Sequence, residues 1–187
     1  MPQVRFLKMP WPDRDARWPV RWEAVSDGQL VAVGDTVLEA VHTPGHSPDH
    51  LCFWHQASRA LFCGDLAWFG TTVVIPPSEG GSLAAYLASL DRVLALAPAR
   101  MLPAHGPVID DPVALLRAYV AHRQAREQQI VGALRAGADD PAAIVAAVYP
   151  LLSLPLVPVA RETVLAHLLK LEVENRVSRR GDRWQLA

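Results

Sequence analysis

The spacing of apolar residues changes character several times along this chain of 187 residues. Residues 29–42, "QLVAVGDTVLEAVH", carry two β-rich runs around Gly34-Asp35, which predicts a hairpin. "HLCFWHQ" and "RALFCGD" predict a second hairpin around Ala57-Ser58. A two-residue turn there sets Cys52 opposite Cys63 across the strands. From Ser82, a suitable N-cap, Leu83, Leu87, Leu90 and Leu94 fall on one helical face. "ARMLP" then reads as a short apolar strand that runs into "AHGP".

The texture turns helical at Asp111. Asp111-Pro112 pairs an N-cap with proline at the first helical position, and the helix should continue to Gly137. Asp140-Pro141 repeats the start signal for a short helix that ends near Pro150. A third helix is expected over about 159–174, with Val164, Leu168 and Leu171 as its buried stripe. "NRVSRRGDRWQLA" closes the chain as two strand-like runs about Gly181-Asp182. Helices followed by a terminal hairpin read as a winged-helix-like unit. The expected division is an α/β unit over 1–111 and a mostly helical unit over 112–187.

Composition narrows the class. A hydrophobic fraction of 51% with 20% charged residues suits a globule with a real core. No apolar run approaches the roughly 20 residues of a membrane span, and "MPQVRFLKMPWPDRDARWPV" reads as an irregular Pro/Trp-rich start rather than a signal segment. Two cysteines make no disulfide framework, so a cytoplasmic protein with no membrane partner is expected. Residues 1–111 hold 8 Lys and Arg against 12 Asp and Glu, and residues 112–187 hold 10 against 7. The second unit is therefore the better suited to an anionic partner.

Three polar groups follow predicted strands directly: His46, Asp65 and His105. Each sits in a turn flanked by glycine (Gly45, Gly64, Gly106), and functional groups in layered α/β folds collect at such strand ends. Imidazole with carboxylate suits zinc, manganese or iron and excludes a thiolate site. Each unit alone also reads as an ordinary Asx turn or loop; three in succession point to a shared polar site.

"HTPGHSPDH", "LFCGD" and "PAHGP", in this order, resemble the later motifs of the metallo-β-lactamase-fold hydrolases. "GTTVVIPPSEG", "HRQAREQQI" and the terminal hairpin resemble the branch with a C-terminal winged helix, and the likeness covers about Gln29 to Ala187. The resemblance implies the C-terminal part of an αββα sandwich followed by a winged-helix-like domain. It implies a metal-activated hydroxide attacking an ester, thioester, lactam or phosphodiester. His46 matches a histidine of the first metal site, Asp65 the bridging carboxylate and His105 the last histidine, on the second metal. Two zinc ions are implied in complete members. No catalytic residue beyond these ligands is assignable.

The family's earlier motif, His-x-His-x-Asp-His, is absent from these residues. Three ligands for two ions should hold metal poorly, so the chain on its own is expected to be an incomplete or inactive hydrolase. Two expectations compete: a start internal to a longer reading frame, or a genuinely shortened protein that persists for its winged helix as a nucleic-acid or partner-binding module. Half a sandwich should also bare the inner sheet face, lined by residues such as Phe53, Leu61 and Cys63.

Among the remaining candidates, His50 could orient a ligand or the substrate, and Thr71 and Thr72 could line a substrate pocket. His42 and His55 are expected to stay outside the site, and His122 and His167 to be surface or packing residues. Trp11, Trp18 and Trp22 suit the mouth of a site, a subunit contact or core. The expected substrate is a small molecule or RNA, with a homodimer contact also expected. In the wing, Arg176, Arg179, Arg180 and Arg183 are the residues that would meet nucleic acid.

Overall fold

The computed structural model describes residues 4–70 and 72–187. A five-stranded sheet organises the first part, in the order β3 (Leu30–Val33), β4 (Thr36–His42), β5 (Leu51–His55), β6 (Ala60–Gly64) and β7 (Arg100–Pro103). The first four strands pair antiparallel, and β7 adds to β6 in parallel after a crossover through α2 (Leu83–Leu96). The first hairpin turns at Gly34-Asp35 as expected, with Val33 paired to Thr36 and Gly34 at φ +57°. In the second, Ala60 pairs with His55, so the connection spans residues 56–59 around Ala57-Ser58. The register still sets Cys52 against the Cys63 position, and the Cys52 thiol reaches the Cys63 carbonyl at 3.6 Å.

Ser82 caps α2 through the Ala85 amide, but the buried stripe is Leu83, Tyr86, Leu90 and Val93. Leu87 and Leu94 flank it, half-buried. The helix is therefore turned one position away from its leucine pattern, with Tyr86 and Val93 in place of Leu87 and Leu94 over the sheet. Alternation puts Cys52, Trp54, Leu61, Cys63 and Met101 under α2, all buried. The expectation that Leu61 and Cys63 line the open face is thus corrected. They belong to the opposite set of the period-two pattern, while Phe53 and its cross-strand partner Phe62, which is 43% exposed, lie on the open side.

The start of the chain holds elements too short to show a period. β1 (Phe6–Lys8) pairs in parallel with β2 (Trp22–Ala24), and the four-residue helix α1 (Pro12–Asp15) lies between them. Phe6 meets Trp22 edge-on at 6.2 Å. Trp18 is exposed, whereas Trp11 lies beneath Arg14 and against Gly80.

The second part begins with α3 (Pro112–Arg135), capped by Asp111, followed by α4 (Pro141–Val148), capped by Asp140, and α5 (Val157–Val173). The strands β8 (Val177–Arg180) and β9 (Arg183–Leu186) form the terminal hairpin. Helix α3 belongs to two cores: Leu116 and Tyr119 join the core between the sheet and α2, and Ile130, Val131 and Ala133 pack with α4, α5 and Trp184. Glu127 of α3 pairs with Lys170 at 2.7 Å and with Arg176, tying α5 and the hairpin to it. Arg183 pairs with Asp139, and Arg179 lies over the Trp184 ring. No helix among the described residues is long and apolar enough to cross a membrane.

His167 is a buried polar residue of this second part, 1% exposed, and neither ring nitrogen has a hydrogen-bond partner. Burial, together with the nearby positive charges of Arg123, Lys170 and Arg126, pushes its pKa down from 6.5 to about 3. The unfolded chain therefore takes up a proton through a window in which the folded chain does not, and stability falls as pH falls from about 6.5 to about 3. The slope from this group is about 1.4 kcal/mol per pH unit within that window. His167→Leu should flatten the loss of stability between pH 7 and 4 in urea titrations. An unchanged slope would assign the acid sensitivity to other groups.

Candidate metal-ligand site at the sheet edge

β4, β6 and β7 run in the same direction, because β4 and β6 each pair antiparallel with β5 and β7 pairs parallel with β6. Their C-terminal ends therefore share one edge of the sheet, which brings His46, Asp65 and His105 to the same side of the molecule. The loop carrying His46 is closed by its own hydrogen bonds. The Thr43 amide donates to His50 O at 3.0 Å, and the His42 ring donates to Pro48 O at 2.8 Å. Helix α2 clamps it from outside: the Ser82 amide donates to Gly45 O and the Ser89 hydroxyl to Pro44 O.

His46 uses Nδ1 to donate to the Val74 carbonyl at 2.8 Å. A carbonyl only accepts, so this contact puts the ring proton on Nδ1 and leaves Nε2 with a free lone pair, the form in which imidazole binds a metal. Asp65 follows the sharp turn at Gly64, φ +52°. Its amide donates to His50 Nε2 at 3.0 Å, while its Oδ1 is buried and has no hydrogen-bond partner. His105 is exposed and brings Nε2 to 3.6 Å from that oxygen, with its ring 5.0 Å from Trp68.

His50 supports Asp65 from behind. Because Nε2 accepts from the Asp65 amide, Nδ1 carries the proton and donates to Thr43 Oγ1 at 2.8 Å. The Thr43 hydroxyl is then free to donate to Cys52 Sγ at 3.2 Å, and the Cys52 thiol faces Cys63 O. Burial, with His46 close by, holds the His50 pKa below the usual histidine range. Burial pushes the two thiols up to about 12, so they act here as neutral bridging groups. Asp49 is committed elsewhere, to Lys8 at 2.9 Å and Ser47. Burial raises its pKa, but the hydrogen bonds from Lys8 and Ser47 outweigh this and hold it below the usual carboxylate range.

His46, Asp65 and His50 line a cavity of about 260 Å³ together with Arg14, Ser47 and Asp49. Thr72 is exposed on the segment leading to Val73, and Thr71 lies outside the described residues. Each of the three candidate ligands is presented as a donor, yet no three His, Cys, Asp or Glu among the described residues gather closely enough to hold an ion. Their chemistry fits a metal, but as placed they do not form a closed metal centre.

The sequence reading missed the residues that hold these loops. Tyr86 donates to Leu66 O at 2.7 Å. The Tyr119 hydroxyl donates to Trp68 O and accepts from the Trp68 amide. Arg123 donates to Val73 O. A signal existed: Arg123 lies four residues after Tyr119, on the face of α3 that carries Leu116 and Tyr119, where an apolar residue is expected.

Gly45 has the least room of the glycines at the site. A Cβ there would lie 2.4 Å from Tyr86 Cα and the backbone already sits at φ +144°. Gly45→Ala must therefore move the loop or α2 and should cost about 3 kcal/mol or more of folding stability. Chemical denaturation measures this directly, and a loss below about 1 kcal/mol would show that the loop yields freely.

Comparison with known proteins identifies the family. Residues 2–105 match the family described as the metallo-beta-lactamase superfamily, and residues 141–184 match the beta-lactamase associated winged helix domain. A beta-lactamase-like protein 2 homolog from Caenorhabditis elegans is 40% identical over 116 residues, 62% of this chain and 37% of that protein. A lactamase-like protein from Penicillium aethiopicum is 40% identical over 124 residues, 66% of this chain and 36% of that protein. The chain thus spans little more than a third of the length of these relatives. Among solved structures, a metallo-beta-lactamase family protein from Thermus thermophilus superposes with a TM-score of 0.79 at 24% identity, covering 90% of this chain and 56% of its own. A beta-lactamase domain protein from Burkholderia ambifaria gives 0.78 at 28% identity, covering 90% and 53%. With more than half of its residues under the first of these matches, the chain belongs to the metallo-beta-lactamase superfamily.

Proposed function

We propose that this chain carries part of the ligand set of a metal-dependent hydrolase: His46 and His105 as terminal ligands and Asp65 as the carboxylate between them. The observation that carries this reading is the state of Asp65. Its Oδ1 is buried without a hydrogen-bond donor, although its backbone is held firmly by His50. Such an orphaned carboxylate oxygen is costly unless a cation satisfies it. The free Nε2 of His46 supports the same reading.

A bound divalent ion in such a site lowers the pKa of its water and polarises a substrate oxygen. Zinc is the metal proposed, and manganese or iron suit the same donors. The substrate class is an ester, thioester, lactam or phosphodiester. Remaining donors are proposed to come from polypeptide other than these 187 residues, since Asp49 is engaged by Lys8 and the placed ligands do not close a site. The isolated chain is therefore proposed to retain metal weakly and to turn over no substrate.

Equilibrium dialysis against zinc, followed by assays on an ester, a thioester, a lactam and a phosphodiester, tests both parts. Zinc retention should fall about tenfold or more in His46→Ala and Asp65→Ala, with metal-dependent turnover at background throughout. Retention that is indifferent to both substitutions overturns the ligand assignment. Turnover by the 187-residue chain at rates usual for hydrolases, about 1–10³ per second, overturns the incomplete site.

A further inference from the structure

Arg123 is a cation in the wrong place for stability alone. It is 3% exposed, its Nε has no hydrogen-bond partner, and no carboxylate among the described residues pairs with it. Its surroundings are Tyr86, whose ring lies 5.6 Å from the guanidinium carbon and whose hydroxyl hydrogen-bonds to it, the nearby Tyr149 and Tyr119, and the Val73 carbonyl, to which Nη2 donates. Burying a charge with no carboxylate partner is costly, and an apolar side chain of similar volume would fill the space more cheaply. What an apolar side chain cannot do is hold a carbonyl.

That carbonyl belongs to residues 72–76, which have no regular structure and lead into the turn at Pro77–Glu79. Among the described residues no strand or helix backbone pairs with the Val73 carbonyl. Burial alternates along Val73, Val74 and Ile75, as in an extended segment whose successive carbonyls face opposite sides. Fixing Val73 O toward α3 therefore aims Val74 O the other way, and Val74 O is the acceptor for His46 Nδ1.

We propose that Arg123 is a positioning residue: by holding the Val73 carbonyl from α3 it aims the Val74 carbonyl, which sets the tautomer and direction of His46. Its bearing on metal binding rests on the reading of His46 as a ligand; the positioning itself does not. Tyr119, one helical turn earlier on the same face, serves a different loop through Trp68, whose ring lies against His105. Helix α3 thus addresses two candidate ligands through two separate backbone contacts. His50 lies outside this arrangement, because its tautomer is set by Asp65 and Thr43.

The test is long-range ¹H–¹⁵N NMR of histidine-labelled 187-residue chain without metal, at a pH of about 9, well above the ordinary imidazole pKa. In the wild type, His46 should be held in the Nδ1–H form. In Arg123→Met the ratio of Nδ1–H to Nε2–H at His46 should fall about fivefold, the effect of losing one well-held hydrogen bond, while His50 keeps its tautomer. Arg123→Lys, which retains a donor for Val73 O, should keep His46 within about twofold of the wild type. An unchanged His46 in folded Arg123→Met overturns the proposal, as does an equal loss of order at His46 and His50. Should Arg123→Met fail to fold, Arg123→Lys decides: a mixed His46 ring in that variant also overturns it. Zinc titration of the wild type separates the two readings. A tautomer shift in Arg123→Met with no zinc binding by the wild type leaves the positioning intact and removes the ligand role.

Discussion

The site depends on strand direction before it depends on any side chain. Because β5 is antiparallel to both of its neighbours and β7 is parallel to β6, three loops emerge at one edge of the sheet. The His46 loop, the Asp65 turn and the His105 turn would otherwise lie at opposite ends of the strands. Loops alone are too pliant to keep donors aimed, so the fold adds contacts from the helices. Tyr86, Tyr119 and Arg123 each take hold of a main-chain group near a different candidate ligand. A hydrogen bond to main chain survives sequence change in the loop itself, which makes it a durable way to fix a site.

Local signals were legible in the sequence, and long-range ones were not. The turns at Gly34-Asp35 and Gly181-Asp182 and the caps Ser82, Asp111 and Asp140 are set by a few adjacent residues, and the structure has them all. The third helix begins at Val157, slightly ahead of the expected 159, because the Leu154–Leu156 turn leads directly into it. β1 and β2 left no trace, since three residues are too few for alternation to show and a parallel partner sits far away in sequence. The face of Leu61 and Cys63 was misjudged because a continuous apolar strand, "ALFC", offers no polar position to mark its two sides.

The candidate ligands were legible as residues but not as a geometry. Sequence placed His46, Asp65 and His105 after strands, and the structure brings Asp65 and His105 to 3.6 Å of each other. It did not reveal that Asp49 is taken by Lys8, since that pairing spans from β1 to the loop after β4. Nor did it give His50 a direction. Chemistry alone allows an imidazole to donate or accept, and only the position of the Asp65 amide makes His50 an acceptor at Nε2. Arg123 was overlooked for a related reason: a charged residue in a long helix reads as solvated, and only its spacing from Leu116 and Tyr119 marks its face as covered.

Helix α3 has a further consequence. One continuous run of main-chain hydrogen bonds carries Leu116 and Tyr119 in one core and Ile130 and Val131 in the other. The sheet and the terminal hairpin are therefore joined through regular helix rather than through an irregular linker. Instead of two beads on a string, the two cores share one continuous helix.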